Sequence, residues 1–598
     1  MYNIVLAVLF SINNNNYKIL NFMILKKRIL VIIGIIIFGG TIKVFAQSLP
    51  DSTIKKIDTL FLKWNTANSP GCTVGIIRND SLIFSKGYGM ANLEYSIPNE
   101  PQTLYHMASI SKQFTAFSIV LLARQGKLKL DDDIHKWLPW FPDLKEKITI
   151  RNLLNHTSGI RDQWQLLAIA GTRLDDVITQ DQIKKILSKQ QALNFKPGDQ
   201  YSYSNSGFTL LAEIVKAVSG QTLRQFTDSA IFKPLGMAST HIHDDYTEIE
   251  KSRSYSYDRK DSAHFANAIL SYSVSGATSL FTNINDMNKW IMNFYDHKVG
   301  DEEDINMLTQ NGKLNNGRKL SYALGIVNDT WRGWRQYSHG GSDAGYRTYV
   351  TVFPDLKMGF IVFSNLGDFD PGSKAYAMAD LFIKDTASKK EVVKKDQRDS
   401  TSAILKDTIS VKRFTGTYIG EEGLPFSFNM INRQLHYQIF NETNFLIKGA
   451  KDTFSIPQAP EIKFIFGIKG KDTTVDLITP DQLYHLKKYI NDTSHTDEYL
   501  KSYTGSYYCP ELDCKYGIVL KDHHLFLTNS KYNDAKLALN GKDHLTDDNW
   551  WINHLMMLRD NKNNITGFEV NSGRIMHLRF NKIEGEQDIS SLERIQEQ

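Results

Sequence analysis

Ser109-Ile110-Ser111-Lys112, running into the apolar stretch from Phe114 to Ala123, decides how this chain is read. In a helix, Ser109 and Lys112 lie one turn apart on one face, and the lysine amine comes within hydrogen-bond reach of the serine hydroxyl. A serine hydroxyl becomes a nucleophile when a neighbouring base takes its proton, and a partly desolvated lysine is such a base. Alone, the pattern discriminates poorly. Ser52-Thr53-Ile54-Lys55 repeats it at a place where no chemistry is expected. The weight comes from what stands downstream.

Tyr201-Ser202-Tyr203-Ser204-Asn205-Ser206-Gly207 precedes a helical apolar pattern from Phe208 to Val218. In an extended loop Tyr203 and Asn205 point the same way. A tyrosine beside a cationic lysine ionises at lower cost and relays protons to a leaving group. An Asn amide offers both a donor and an acceptor, so it holds the lysine and a substrate amide together. Further on, His339-Gly340-Gly341 stands just ahead of a β-run that starts at Gly345. Glycines let the backbone approach a substrate closely, and an N–H there, that of Ser342, can face the N–H of Ser109. Two convergent backbone donors form an oxyanion hole for acyl transfer.

Around these motifs the chain divides into readable sections. Residues 72–77 and 82–88 are β-rich runs about Arg78-Asn79-Asp80, a hairpin signal. From Thr103 to about Asn311 the pattern is helical and loop-rich. Gly345–Phe353 and Met358–Phe363 then form a second strand pair about Pro354-Asp355-Leu356-Lys357. Strands at both ends with helices between them predict one α+β unit, in which the two terminal segments complete a single sheet. Lys384 to Ser410 is rich in Lys, Asp, Ser and Thr and reads as a linker. Beyond it lies an internal repeat. Phe414-Thr415-Gly416-Thr417-Tyr418 recurs as Tyr503-Thr504-Gly505-Ser506-Tyr507, and Arg433-Gln434-Leu435-His436 as His523-His524-Leu525-Phe526. Each copy alternates in short runs broken by turns, the pattern of small antiparallel barrels or sandwiches.

At the other end, Met23 opens the basic segment Met23-Ile24-Leu25-Lys26-Lys27-Arg28, and Ile29 to Gly40 is a continuous apolar run. Val44-Phe45-Ala46 then offers a small residue for cleavage before Gln47. The run falls short of the roughly 20 residues a membrane span needs, so residues 1–46 read as an export signal with Met23 as the start; a retained anchor is the alternative. These residues carry Lys18, Lys26, Lys27, Arg28 and Lys43 and no acidic residue, so their removal takes the formal charge from +5 to 0. The balance that remains implies no nucleic-acid or anionic-membrane partner. Three cysteines exclude a disulfide framework, although Cys509 and Cys514 are close enough in sequence to close a local loop. His241-Ile242-His243 with Asp244 and Asp245 offers ligand atoms, but such a run is expected as exposed loop and no metal is assigned to it.

Ser-x-x-Lys, Tyr-x-Asn and His-Gly-Gly, in this order and setting, resemble the serine β-lactamase and penicillin-binding protein superfamily. The likeness is strongest to its class C-like branch, which includes esterases and D-amino-acid peptidases. Lys86-Gly87-Tyr88-Gly89, Asn155-His156-Thr157-Ser158-Gly159 and Tyr322-Ala323-Leu324-Gly325 add to it, and it covers about residues 50–385. The resemblance implies an antiparallel sheet flanked by helices with a helical insert over residues 47–385. A linker at 386–410 and two small all-β barrel-like modules at 411–495 and 496–598 follow, similar to the lipocalin-like modules of some members. It implies Ser109 as the acylated nucleophile, Lys112 as its base and Tyr203 as the proton relay. Asn205, His339, Gly341 and Ser342 would bind substrate; His156 would fix a loop, and no metal or cofactor is called for.

The expected activity is that of an exported, periplasmic serine hydrolase acting through an acyl-enzyme on a small peptide or ester, cell-wall fragments included. β-Lactam specialists carry Lys-Thr-Gly or Lys-Ser-Gly where this chain has His339-Gly340-Gly341. A histidine of ordinary pKa, about 6.5, is mostly neutral at pH 7 and glycine has no hydroxyl, so β-lactams should turn over slowly. The alternative from another class is a catalytically silent cell-wall-binding or sensor protein on the same fold. Retention of Ser109, Lys112, Tyr203 and His339 together argues against it.

Overall fold

The computed structural model describes residues 49–385 and 409–583, apart from 421–424, 440–441, 458–459, 470–471, 480–481, 490–494, 541 and 548. The expected export signal and the interior of the expected linker lie outside the described residues. The apolar run at Cys72 forms β1 (Cys72–Arg78), which turns through Asn79 and Asp80 into β2 (Ser81–Tyr88). Those two turn residues take φ of 46° and 62°, the left-handed pair whose twist suits a two-residue hairpin. Far along the chain, β3 (Val327–Trp331), β4 (Trp334–Asp343), β5 (Tyr346–Phe353) and β6 (Met358–Ser364) follow one another as a meander. β6 pairs antiparallel with β1 from Cys72↔Ser364 to Arg78↔Met358. The result is one six-stranded sheet in the order β3-β4-β5-β6-β1-β2, closed by both ends of the domain as the sequence predicts.

One element differs. The His339-Gly340-Gly341 segment stands ahead of β5, as the sequence has it, but is itself part of a strand, β4, paired through His339↔Val350, Gly340↔Tyr349 and Gly341↔Thr348. Two adjacent glycines lower the β propensity of the segment and hide the strand from a local reading.

The helical insert is built on α1 (Ser111–Arg124), which buries residues on every face, from Phe114 and Phe117 to Ser111, Lys112 and Gln113. A helix with no solvent face must satisfy its polar groups internally. Gln113 Oε1 accepts from Trp290 Nε1 at 2.8 Å, and Ser118 Oγ donates to Phe114 O at 2.8 Å. Around α1 stand α2 (Gln163–Ile169), α3 (Asn205–Ser219) and α4 (Ile284–Asp296). Asp162 caps α2 by accepting from Trp164 N, and α3 ends on Gly220 at φ 74°.

The carboxy-terminal half is two all-β modules. In the first, strands between Gly416 and Lys488 form a nine-stranded sheet whose two edges, Glu442–Phe445 and Ile447–Lys448, are consecutive in sequence. In the second, strands between Gly505 and Ile583 close into an eight-stranded barrel. The repeat in sequence is a repeat in structure. Tyr418 OH donates to Phe414 O at 3.0 Å and Tyr507 OH to Tyr503 O at 2.6 Å. Gly416 and Gly505 sit at φ 128° and 144°, where a Cβ would stand 2.8 Å from the Cε of Lys488 or Lys582. Cys509 and Cys514 face each other on the first two barrel strands, with free thiols.

The first module has its own apolar core, whereas that of the closed barrel is continuous with the hydrolase-like domain. Arg161, 1% exposed, crosses the junction: its Nη1 donates to Glu511 Oε1 and Oε2 at 2.8 and 2.7 Å. Its Nη2 donates to the carbonyls of Met576 and His577 at 3.0 and 3.1 Å. Tyr516 OH and Tyr532 OH donate to the carbonyls of Ile169 and Ala168, so the barrel caps the end of α2. Among the described residues no helix is long and apolar enough to cross a membrane.

Candidate active site

Ser109 lies in a tight 3₁₀ turn, Ala108–Ile110, immediately before α1. Ala108 takes φ 48°, a left-handed conformation that costs energy for a residue with a Cβ and persists only where the surroundings hold it. They do. Ser111 Oγ donates to Ala108 O at 2.6 Å and accepts from Leu280 N at 2.9 Å, while Met107 N donates to Leu280 O at 2.8 Å. From the sheet, Thr348 Oγ1 donates to Met107 O at 3.0 Å. Gly341 completes the cradle. A Cβ there would stand 2.2 Å from Thr348 Oγ1 and 2.3 Å from Met107 O, so only glycine lets β4 lie against the Ser109 turn.

Lys112 is fully buried on the first turn of α1. Its Nζ lies 2.8 Å from Asn205 Oδ1, 2.8 Å from Ala277 O and 3.1 Å from Ser109 Oγ. The first two are carbonyl oxygens and can only accept. A neutral amine has two N–H bonds and one lone pair, so with both donors committed the lone pair faces the serine hydroxyl. Burial lowers the pKa of Lys112 from 10.5 to about 7, helped by the charge of Arg574 and opposed by Asp162 and Asp343. The neutral base is therefore well populated near neutrality.

Asn205 is held in turn by Asp162, whose Oδ2 accepts from Asn205 N and Nδ2, both at 2.8 Å. It is the first residue of α3, and Ser204 before it is extended. Tyr203 hydrogen-bonds Ser109 through its hydroxyl, and its ring lies 4.9 Å from Lys112 Nζ. The expectation that the lysine eases its ionisation is not met. Burial dominates and raises the Tyr203 pKa, so the phenol keeps its proton. His156, with φ 58°, accepts from Ser204 N at 3.2 Å and packs its ring, tilted, 4.1 Å from the Tyr203 ring; burial holds it neutral. The sequence predicts that it fixes the loop after the Arg151 helix; from that loop it braces the segment that carries Tyr203.

His339 is buried with Nε2 2.9 Å from Tyr322 OH, and burial followed by the charge of Lys112 pushes its pKa down to about 4. Ser342 is exposed at the end of β4, opposite Arg347. Behind the turn, Asp343 Oδ2 accepts from Thr278 Oγ1 at 2.7 Å and lies 3.1 Å from His106 Nε2.

Sequence reasoning missed two residues here. Asp162 carried a signal, since an acid just before an apolar periodic segment is a helix cap. Arg574 carried none. It sits with Gly573 at the two-residue turn between β7 (Ile565–Ser572) and β8 (Ile575–Ile583) of the closed barrel. Its N–H donates to Gln165 Oε1 and its carbonyl accepts from Asn194 Nδ2, both at 2.8 Å. Its guanidinium lies 4.8 Å from the Tyr203 ring and 3.7 Å from Asp162 Oδ2.

The His241 segment is not exposed loop. His241–Ile242 is a short strand paired with Leu280–Phe281, and His243 is buried. The acids that meet the histidines are Glu248 and Glu250 rather than Asp244 and Asp245, and the four ligand atoms lie within 4.8 Å of one another. Arg224 donates to both oxygens of Glu248, at 2.6 and 2.8 Å, and so supplies a cation to that carboxylate from within the chain.

A family model described as Beta-lactamase matches residues 53–382. Penicillin-binding protein 4* of Bacillus subtilis (strain 168) is 25% identical over 430 residues, which cover 69% of this chain and 94% of that protein. A D-aminopeptidase of Brucella anthropi is 28% identical over 325 residues, 54% of this chain and 61% of that protein. The chain thus spans about three fifths of the length of that second relative. Among solved structures, a penicillin-binding protein homologue from Pyrococcus abyssi superposes with a TM-score of 0.50 at 20% identity, over 80% of this chain and 99% of that one, a likeness of fold.

Proposed function

The chain belongs to the beta-lactamase family, and on that premise we propose that it is an exported serine hydrolase that forms an acyl-enzyme at Ser109 and acts on D-amino-acid peptides, cell-wall fragments or small esters, turning over β-lactams slowly. The observation that carries the proposal is the placement of Lys112 Nζ 3.1 Å from Ser109 Oγ and 2.8 Å from two carbonyl acceptors, which leaves the lone pair of the neutral amine for the serine. Lys112 takes the hydroxyl proton as Oγ adds to the substrate carbonyl. The N–H groups of Ser109 and Ser342 hold the oxyanion. Collapse breaks the bond to the leaving nitrogen or oxygen, which takes the Tyr203 proton, and Tyr203 recovers a proton from the Lys112 ammonium. Water then adds to the acyl-enzyme, passing its proton back through the same pair, and the acid leaves with the serine restored. The names of the relatives, a D-aminopeptidase and a penicillin-binding protein, support an amide or peptide acyl donor.

The neutral His339 bears on specificity. Its pKa near 4 leaves it uncharged at physiological pH, so the third motif offers a β-lactam carboxylate no cation. Labelling with a fluorophosphonate followed by peptide mass measurement tests the proposal: an adduct on Ser109, absent in Ser109→Ala, is expected. Turnover of a p-nitrophenyl ester should far exceed that of nitrocefin. A full-length protein that takes no adduct from fluorophosphonate or penicillin would be a binding protein instead.

A further inference from the structure

Arg574 is a strong charge that the closed barrel delivers beside Tyr203. Its backbone is fixed on both sides, by Gln165 and Asn194 of the hydrolase-like domain. The side chain is 45% exposed, and among the described residues its guanidinium finds no acceptor within hydrogen-bond distance. The nearest carboxylate oxygen, Asp162 Oδ2 at 3.7 Å, is already taken by both donors of Asn205. A planar fork of donors is thus held beside Tyr203, partly exposed and with its hydrogen-bonding capacity uncommitted.

The charge acts on one side of the site only. Lys112, Tyr203 and His156 all feel Arg574, whereas His339 is set by burial, Lys112 and its own strand. Beside the same hairpin opens a cavity of about 870 Å³, lined by Tyr201 and His577 together with Arg318, Lys487 and Lys488. Asp199 is its single acidic lining residue among the described ones. The charged residues of this lining are thus predominantly basic, which complements an anionic ligand.

We propose that Arg574 is the anion-recognition residue of this active site, taking a free carboxylate of the substrate on paired N–H donors. This rests on the acyl-transfer reading above and narrows it. Among open-chain amides and esters, acyl donors that carry a free carboxylate are selected, and those with a free ammonium beside the scissile bond are disfavoured by like charge. The carboxylate belongs either to the leaving residue or to the acyl group; both place the same chemistry against the guanidinium.

Calorimetric binding to full-length Ser109→Ala protein separates the two with paired probes. N-acetyl-D-alanyl-D-alanine against its carboxy-terminal amide tests the leaving side, and succinyl-D-alaninamide against butyryl-D-alaninamide tests the acyl side. In one pair the carboxylate member should bind roughly tenfold to a hundredfold tighter than its neutral partner, the range expected of a hydrogen bond to a charged group. Adding Arg574→Gln should bring that ratio to within about twofold of unity, and Arg574→Lys should keep part of it. Equal binding within both pairs, no binding by any of the four, or a preference that survives Arg574→Gln would each overturn the assignment. A protein that takes the fluorophosphonate adduct but shows no carboxylate preference removes this inference and leaves the acyl-transfer reading standing. The converse result does the reverse.

Discussion

Replacing Lys112 with methionine keeps the bulk of the buried stem and removes the amine. In the folded protein that amine titrates near 7 instead of 10.5. Between those values the unfolded chain holds a proton that the folded protein has released, so stability must rise with pH across the window, at up to about 1.36 kcal/mol per pH unit. Below pH 7 both states are protonated and the dependence vanishes. Lys112→Met has no such dependence at this position. From pH 7 to pH 9.5 the native protein should therefore gain about 3 kcal/mol on the variant. The offset at any single pH is a poorer guide, because methionine leaves Asn205 Oδ1 and Ala277 O without their donor, at about 1–3 kcal/mol each. Denaturant midpoints of both proteins at several pH values within the window measure the difference in slope directly. The same titration should appear in acylation, whose rate rises through a pKa near 7, with the variant slower by roughly 10²–10⁴-fold. Parallel stability curves for the two proteins would refute the assignment of Lys112 as a neutral buried base.

Glu511→Ala leaves the Arg161 guanidinium buried without its carboxylate, a change that costs about 3–5 kcal/mol; amide exchange should show the closed barrel loosening before the remainder of the domain. Gly341→Ala drives a Cβ to within 2.3 Å of Met107 O, so acylation should fall by roughly 10²-fold or more as β4 is pushed off the nucleophile turn. Gly340→Ala, whose Cβ meets nothing nearer than 3.5 Å, should cost far less in the same esterase assay.

The parts of this protein legible in its sequence are those encoded by local pattern. Ser109 and Lys112 are three residues apart, and helix geometry alone puts them in contact. The hairpin at Asn79-Asp80 and the paired ends of the sheet follow from strand and turn signals, and the repeated Tyr418 and Tyr507 prove to make the same bond in both modules. His339 was readable as a site residue but not as part of a strand, because its glycines carry no β signal while their lack of side chains is what the site uses. Tyr203 was assigned a role from its charge neighbour, and burial, which no local window contains, reversed the sign of that effect. Arg574 lay furthest out of reach. Asn571-Ser572-Gly573-Arg574 is an ordinary surface turn until tertiary packing carries it to Tyr203.

That packing fixes an order of events. Arg574 is bonded to Gln165 across 409 residues of chain. On the ribosome the serine, its lysine and Asn205 emerge first, and both modules must be made before the hairpin can arrive. A nascent chain therefore holds the serine and the lysine while lacking the field that helps to tune them, and the site reaches its full electrostatics only once the barrel has packed.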